Sequence, residues 1–233
     1  MRQYLSFGGG VNSTALLLLL TDRGEGFETV FVNHGGDYPE TYAYVDYLRD
    51  QGFEITEIIP PAYCGCTTIE QYIYKYKFAP ARFMRWCTQH FKVIPFLKHL
   101  EPPCTAMLGI SYEEKHRVEN RKTMHKLEEN VTYRYPLIDS KMNRDDCISL
   151  IHEHGLDMPE RSTCWFCPFQ TKQQIRELYL NYPDLYQRAI KIEDMCSGGG
   201  KYFMKSKPLP EVAMAHTPPL TTYFENNVIS EHR

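Results

Sequence analysis

Near its start the chain carries the segment Gln3-Tyr4-Leu5-Ser6-Phe7-Gly8-Gly9-Gly10-Val11-Asn12-Ser13-Thr14, in which an apolar run leads into three consecutive glycines. The run Gln3–Phe7 predicts a buried strand that enters a tight turn. Asn12, Ser13 or Thr14 can cap a following helix, whose apolar body is Ala15–Leu20. The segment therefore predicts a strand, a glycine turn and a helix in direct succession.

The alternation of strand and helix continues after this turn. Thr29–Val32 and Phe53–Ile59 predict the second and third strands, and Pro39 fits the first turn of the helix between them. Ala106–Ile110 and Tyr133–Ile138 predict a fourth and a fifth strand. Strands joined by helices at this spacing favour a Rossmann-like α/β fold, with a twisted parallel sheet and helices on both faces.

The later part of the chain has a different pattern. Asn143–His154 predicts a helix, and Thr171–Asp194 is helical again with a break near Pro183. The tail beyond residue 200 is rich in proline and is expected to be irregular. We expect an α/β domain over residues 1–160, with residues 161–233 packed on it as a cysteine knuckle, a helical segment and a tail.

The composition excludes several classes of protein. Hydrophobic residues make up 42% and charged residues 24% of the chain, which is typical of a globular protein and not of a disordered one. The longest apolar run, Ala15–Leu20, is far shorter than the roughly 20 residues of a membrane span, and the chain starts with no apolar stretch of signal-peptide length. The net charge of -3 argues against an unselective polyanion binder. We expect a cytoplasmic protein that contacts no membrane.

The glycine turn is a candidate phosphate site. Glycines between a strand and a helix let backbone N–H groups approach an anion closely, and the helix N-terminus favours negative charge. Ligands gather at the carboxyl ends of parallel strands, which is where this turn lies. Its spacing is neither that of the dinucleotide fingerprint nor that of the lysine-containing P-loop. A purely structural tight turn is the alternative.

The segment Ser6–Thr14 resembles the pyrophosphate loop, of the SxSGGxDS type, of the PP-loop ATP pyrophosphatases. Downstream segments are similar to those of the phosphoadenosine phosphosulfate (PAPS) reductase branch of that superfamily, in the same order. These segments are Val32–Gly35, Tyr38–Tyr42, Arg85–Pro95, Leu108–Ser111 with Glu114 and Arg117, Tyr135–Ile138 and Cys164–Pro168. Several moderate motifs in order are more specific than any one of them, and the resemblance runs from about Leu5 to Phe169.

The resemblance implies an adenine nucleotide alpha hydrolase-like fold and an enzyme that binds ATP with Mg²⁺, or a related adenine nucleotide. Members of the family either reduce a sulfonucleotide or use ATP to adenylate a substrate oxygen before a sulfur or nitrogen nucleophile displaces AMP. The implied partners are a nucleotide, tRNA or DNA substrate and a sulfur donor or thioredoxin-like reductant. The implied nucleotide-binding residues are Ser6, Phe7, Gly8, Gly9, Gly10, Asn12, Ser13, Thr14, Asn33, Gly109 and Ile110. The implied catalytic residues are Asn12, Ser13 and Arg117.

Three positions depart from the family pattern. Asn12 stands where the family usually has aspartate, and Gly8 where it has serine. An amide donates to phosphate but is a poorer Mg²⁺ ligand than a carboxylate. Ser111 stands where arginine is common, which leaves Arg117 or Arg121 as the nearest cation for a phosphate.

The cysteines predict a metal site. Eight cysteines in a chain without an export signal favour reduced thiols or metal ligands over disulfides. Cys164 and Cys167 have the spacing of a metal knuckle or a redox pair. The resemblance adds Cys87, and three thiolates suit a [4Fe–4S] cluster with one iron open to substrate. His90 completes a Cys₃His set with structural-zinc spacing, which is the alternative, and unmetallated thiols are a third.

Three functions are therefore compared. The favoured one is a PAPS reductase-like PP-loop enzyme for adenylation-dependent sulfur transfer. The second is a phosphoadenylyl- or adenylyl-sulfate reductase, against which stands the absence of a cysteine in Tyr223–Arg233, the last one being Cys196. The third is a catalytically silent, zinc-stabilised nucleotide-binding module, which Asn12 and His90 keep open.

Overall fold

The computed structural model describes residues 1–82, 84–119, 126–160, 162–196 and 207–214. The chain divides into two compact units. The first unit consists of Met1–Gln71 with Trp86–Cys164, and the second of Tyr72–Arg85 with Trp165–Arg233. The division into residues 1–160 and 161–233 stays a prediction.

The described secondary structure alternates through the first unit. The strands are β1 (Arg2–Phe7), β2 (Glu28–Val32), β3 (Ile55–Ile58), β4 (Cys104–Leu108) and β5 (Val131–Arg134). The helices are α1 (Val11–Asp22), α2 (Pro39–Asp50), α3 (Ile69–Tyr76), α4 (Trp86–Thr88), α5 (Ile94–His99), α6 (His116–Glu119), α7 (Pro136–Asp139), α8 (Arg144–Glu153), α9 (Lys172–Asn181), α10 (Pro183–Cys196) and α11 (Leu209–Met214). A π-helical turn, Gln89–Val93, joins α4 to α5, and the last three helices belong to the second unit.

The sheet confirms the predicted parallel α/β fold. Its strand order is β3-β2-β1-β4-β5, and all neighbouring strands run parallel. In the central strand, Leu5 lies opposite Thr29 of β2 and Met107 of β4. The chain moves outward from β1 to β2 and β3, and then returns to β4 on the other side. A crevice therefore forms beyond the carboxyl end of β1, where the direction of winding reverses.

Both faces of the sheet are covered because side chains of a strand alternate between its faces. Leu5 and Phe7 join one apolar core, to which α1, α2 and α8 also contribute. Tyr4 joins the opposite core, together with Val30 and with Phe96 of α5. Helix α1 buries most of its apolar body and packs against α8. The helices on both faces that the sequence predicts are confirmed.

The fifth strand is shorter than the sequence predicts. It ends at Arg134, whereas the expected strand continued to Ile138. Pro136 takes the first position of α7 instead. Proline has no N–H for a sheet ladder but fits the first turn of a helix, so the chain turns at this point.

The second unit contains the three helices α9, α10 and α11. Thr171 caps α9, and its hydroxyl accepts a hydrogen bond from Gln174 N at 3.1 Å. The Leu209 N–H at the start of α11 donates to the buried carboxyl of Glu193 at 2.7 Å. The expected irregular tail is wrong at Leu209–Met214, where Pro210 in the first turn is compatible with a helix.

Among the described residues, no helix combines the length and the apolar character that crossing a membrane demands. The cytoplasmic location stays a prediction.

Candidate nucleotide and metal sites

The glycine turn occupies the crevice at the carboxyl end of β1. Gly8, Gly9 and Gly10 connect β1 directly to α1. Gly9 has a φ of +70°, and a Cβ there would lie 2.8 Å from Thr41 Cγ2. A Cβ on Gly10 would overlap Ser162 Oγ. Gly9 therefore requires glycine for its backbone conformation, whereas an added Cβ at position 10 needs the Ser162 hydroxyl to move.

Two hydroxyls of the first helical turn bind the loop itself. Ser13 Oγ donates to Gly10 O at 2.9 Å and accepts from Gly10 N at 3.1 Å. Thr14 Oγ1 is buried and donates to the same carbonyl at 3.1 Å. These contacts fix the shape of the turn, and the contact of either hydroxyl with a phosphate stays a prediction.

A polar cavity of about 580 Å³ opens in front of the turn. It brings together seven of the residues predicted from the sequence: Ser6, Gly8, Gly10, Asn12, Ser13, Gly109 and Arg117. Gly109 lies close to the start of α1, since a Cβ on it would be 3.0 Å from Asn12 O. The end of β4 and the start of α1 therefore form two adjoining walls of one cavity.

The other predicted residues have different surroundings. Phe7 lines a neighbouring apolar cavity, and Gly9 is buried beneath the turn. Asn33 Nδ2 donates to Glu57 Oε1 at 2.7 Å, and its Oδ1 accepts from Gly35 N at 3.0 Å. Ile110 N donates to Leu108 O at 2.9 Å. Arg121, the second candidate cation, lies outside the described residues.

Glu114 is the functional candidate that sequence reasoning passed over. One of its carboxylate oxygens accepts from Asn12 Nδ2 at 3.2 Å and from Ser111 Oγ at 3.4 Å, and the other contacts Arg117 Nη1 at 2.5 Å. Asn12 Oδ1 is buried and accepts no hydrogen bond from any described residue. Glu114 appeared in the sequence as part of a motif, but only the fold shows it facing Asn12.

A second, mostly apolar cavity of about 230 Å³ adjoins the same strand end. Its walls include Phe7, Phe31, Val32, Phe96, Leu97 and Leu108. Ser6 and Gly8 line both cavities. The apolar cavity suits a flat apolar ring, and the polar cavity suits a polyanion. The two cavities meet at Ser6 and Gly8.

A buried imidazole, a carboxylate and a thiol meet at the edge of the apolar cavity. Candidate ligand atoms of His34, Asp37 and Cys164 lie within 4.8 Å of one another. His34 Nδ1 accepts from Gly36 N at 3.2 Å, and its Nε2 lies 3.0 Å from Asp37 Oδ2 without the alignment of a hydrogen bond. The Cys164 thiol donates to Asp37 Oδ1 at 3.9 Å. Imidazole, carboxylate and thiolate together are donors that suit zinc.

Burial and charge set the protonation of this group. Burial lowers the pKa of His34, and the Lys92 ammonium lowers it further. Burial alone would raise the pKa of Asp37, but Lys92, His34 and Cys164 together hold it below its usual value. Lys92 Nζ lies 3.8 Å from Asp37 Oδ1. A neutral imidazole and an ionised carboxylate are the forms that bind metal.

Among the described residues, the cysteines predicted as metal ligands form no disulfide, and Cys87, Cys164 and Cys167 are partly buried. Cys87 lies in α4 and His90 one turn later, where the His90 ring stacks on Tyr63 at a centroid distance of 3.8 Å. Across the residues that the structure describes, His34, Asp37 and Cys164 form the one group of three within single-ion distance. The cluster and zinc sites assigned from the sequence stay predictions.

Comparisons with known proteins point to one family. The model of the phosphoadenosine phosphosulfate reductase domain matches residues 2–160. A search of curated sequences finds no significant match.

The chain is also similar to two solved structures. The phosphoadenylyl-sulfate (PAPS) reductase of Candida auris, a phosphate complex, is 12% identical, with a TM-score of 0.52 over 72% of this chain and 83% of that one. A predicted subunit of tRNA methyltransferase from Methanocaldococcus jannaschii is 16% identical, with a TM-score of 0.42 over 81% of this chain and 91% of that one. At this identity, the first structure supports a common fold.

Proposed function

Because the chain belongs to the phosphoadenosine phosphosulfate reductase domain family, we propose that it is an enzyme that binds ATP at the glycine turn and uses it to adenylate a substrate. Adenylation forms a bond between the α-phosphorus and a substrate oxygen and breaks the bond to the β-phosphate oxygen, so pyrophosphate leaves. A sulfur nucleophile then takes the place of AMP on the substrate.

The observation that carries this proposal is the pair of cavities that share Ser6 and Gly8. The apolar cavity suits an adenine ring, and the polar cavity suits the phosphates. In this proposal, backbone N–H groups of the turn and the start of α1 stabilise the negative charge that grows on the leaving pyrophosphate. Donors fixed in position before the reaction lower its barrier because they need no reorganisation.

In this proposal, Mg²⁺ is the cation that binds in the polar cavity with the phosphates. Glu113 and Glu114 line the polar cavity together with Arg117 and Arg144, so these side chains balance one another and the charge of a bound polyphosphate needs an added cation. The unpartnered Asn12 Oδ1 and the Glu114 carboxylate are hard oxygen donors of the kind Mg²⁺ prefers, so these residues fit the ion. When bound, Mg²⁺ neutralises phosphate charge, and Arg117 and Arg144 are the protein's own cations in the cavity.

The sulfur-transfer half of the proposal uses the cysteines. Cys87, Cys164 and Cys167 form no disulfide with any described residue and are partly buried, and cysteine thiolates are the ligands that [4Fe–4S] clusters take. When bound, such a cluster supplies an iron site that can hold sulfide. The substrate in this proposal is a nucleotide or a nucleic acid.

Product analysis tests the adenylation step. ATP labelled at the α-phosphate is incubated with the anaerobically purified protein, Mg²⁺, sulfide and bulk RNA or DNA. We expect label in AMP or in an adenylated product, with an equal amount of pyrophosphate. Label in ADP contradicts the proposal. Sulfite released from PAPS in the presence of thioredoxin, without pyrophosphate from ATP, identifies a reductase instead.

A further inference from the structure

The second unit carries an unusual concentration of positive charge. Residues 72–85 contain four basic residues, Lys75, Lys77, Arg82 and Arg85, and no acidic residue, although the whole chain has a net charge of -3. All four side chains are exposed. Among the described residues, neither Arg82 nor Arg85 forms an ion pair with a carboxylate. The charge of these two guanidinium groups is therefore available to an anionic partner.

These two arginines are held on an exposed aromatic ring. The guanidinium carbon of Arg85 lies 5.4 Å from the centre of the Phe169 ring, and that of Arg82 lies 5.9 Å from it. Half of the Phe169 surface is exposed, at 50%. A guanidinium over an aromatic face keeps its N–H edge directed outward, where it can donate to a phosphate.

The backbone keeps this arrangement in place. Arg82 Nε donates to Pro168 O at 3.1 Å, which ties the arginine to the residue before Phe169. Ala81 and Met84 pair as an isolated antiparallel bridge, so Arg82 and Arg85 stand at a tight turn. Lys77 is five residues before Arg82, which places their Cα atoms at most roughly 18 Å apart. Fixed cations beside an exposed ring lose little entropy when they bind a partner.

We propose that Lys75, Lys77, Arg82, Arg85 and Phe169 form a binding site for single-stranded nucleic acid. The cations contact phosphates of the strand, and an unpaired base stacks on Phe169. A membrane surface fits this site less well, because cations and apolar residues alternate here and form no continuous apolar face. This inference rests on the proposed function, because it names the class of substrate on which the proposed enzyme acts. Binding of the strand itself requires no ATP.

The test is equilibrium binding of fluorescent oligonucleotides of about 12 nucleotides, a length within the usual site size, in single-stranded RNA, single-stranded DNA and duplex form. We expect single strands to bind more tightly than the duplex, and the RNA and DNA arms show which is preferred. Four phosphate contacts predict that raising salt from 50 to 200 mM weakens binding about 50-fold. Equal affinity for duplex and single strand overturns the proposal, as does the absence of binding.

Two kinds of variant distinguish the contribution of charge to oligonucleotide affinity from that of base stacking. The pair Arg82→Ala and Arg85→Ala is expected to weaken binding about tenfold and to lower the slope of log affinity against log salt by about 1.4. Phe169→Leu keeps an apolar side chain but removes stacking, and it is expected to weaken binding about fivefold or more at an unchanged salt slope. The matched control is Arg2→Ala with Arg23→Ala, which removes two exposed arginines of the first unit.

Unchanged binding in the patch variants, or the same loss in the control, overturns the proposal. Arg82→Gln and Arg85→Gln remove the charge but keep a long polar side chain, so they replace the alanine variants if those fail to fold. Sedimentation with phosphatidylserine vesicles, without oligonucleotide binding, identifies a membrane partner and also overturns it. Pyrophosphate release from ATP is measured separately, so the failure of adenylation and the failure of strand binding give different results.

Discussion

The contact between Asn12 and Glu114 brings a carboxylate to a loop that has an amide at position 12. Asn12 donates to Glu114 and leaves its own oxygen buried without a partner. The negative charge in this part of the cavity is supplied from the loop after β4, by a residue 102 positions away in sequence. In the proposed Mg²⁺ site, Glu114 is the carboxylate ligand that position 12 does not supply, and it exchanges its contact with Arg117 for the ion.

Substitution Asn12→Asp tests this arrangement. It places two carboxylates about 3 Å apart, and in a partly buried site their repulsion is expected to cost about 1 kcal/mol of folding free energy without Mg²⁺. The variant should melt several degrees lower than the wild type in chelator and recover with Mg²⁺. Asn12→Ala is the control, since it removes the amide without adding charge and should show no such recovery. Equal melting of Asn12→Asp and the wild type in chelator contradicts the arrangement.

His34 predicts a pH dependence of stability. Burial lowers its pKa in the folded protein, so the unfolded chain binds a proton more readily. Neutral His34 therefore leaves the stability of the fold unchanged above the unfolded-state pKa of about 6.5. As the pH falls below this value, the free energy of unfolding decreases by up to about 1.4 kcal/mol per pH unit. Asp37, whose pKa is also lowered, loses its contribution only at more acidic pH.

Urea unfolding between pH 7.5 and 5.5 measures this effect. We expect the free energy of unfolding of His34→Gln to decrease less than that of the wild type as the pH falls over this range. The control His99→Gln changes a less buried histidine, and its free energy of unfolding should decrease as much as that of the wild type. Identical pH profiles for the wild type and His34→Gln contradict the assignment.

At the scale of elements, α8 supports the helix that follows the glycine turn. Asn143 caps α8, accepting from Asp145 N at 2.7 Å and from Asp146 N at 3.1 Å, and Asp146 bonds back to Asn143 N. Helix α8 packs against α1. The position of the polar cavity thus depends in part on a capped helix that lines little of it.

Asn143→Ala should lower the free energy of unfolding by about 1 kcal/mol, because two N–H groups lose their acceptor. Asn143→Asp keeps an acceptor and should cost only a small part of this. Urea denaturation of both variants checks the prediction. A loss of the same size in Asn143→Asp contradicts capping as the cause.

The local sequence predicts the order of the main helices and strands. It does not always predict the residues at which they end. Apolar runs and glycine or proline boundaries predicted all five strands of the sheet. The sequence pattern extended β5 to Ile138 because Leu137 and Ile138 are apolar, yet Pro136 begins a helix there. Leu209–Met214 was missed because two prolines, Pro208 and Pro210, suggested an irregular tail.

The candidate sites were predictable to different degrees for a physical reason. The glycine turn is continuous in sequence, so its residues could be named in advance. Contacts between distant segments could not be, and two examples are Glu114 with Asn12 and Asp37 with Cys164. Long-range pairing depends on the register of strands and the length of loops, which no local pattern encodes.

At the scale of the whole molecule, metal content distinguishes three candidate donor sets that share Cys164. We expect iron and acid-labile sulfide in protein purified without oxygen, and their loss in Cys87→Ser and in Cys164→Ser. His34→Gln should leave the iron in place. One zinc that is lost in His34→Gln and Cys164→Ser, but kept in Cys87→Ser, contradicts the cluster and assigns the metal to His34, Asp37 and Cys164. Zinc lost in Cys87→Ser and His90→Gln supports the Cys₃His alternative.

The central claim is that the glycine turn binds ATP, and calorimetric titration of Mg-ATP into the wild type and Gly9→Ala tests it most directly. Gly24→Ala is the matched control, since Gly24 also has a positive φ, +64°, but open space around a Cβ. The account predicts one ATP per chain in the wild type and in Gly24→Ala, and binding at least about tenfold weaker in Gly9→Ala. A folded wild type that binds no ATP, or equal affinity in Gly9→Ala, contradicts it.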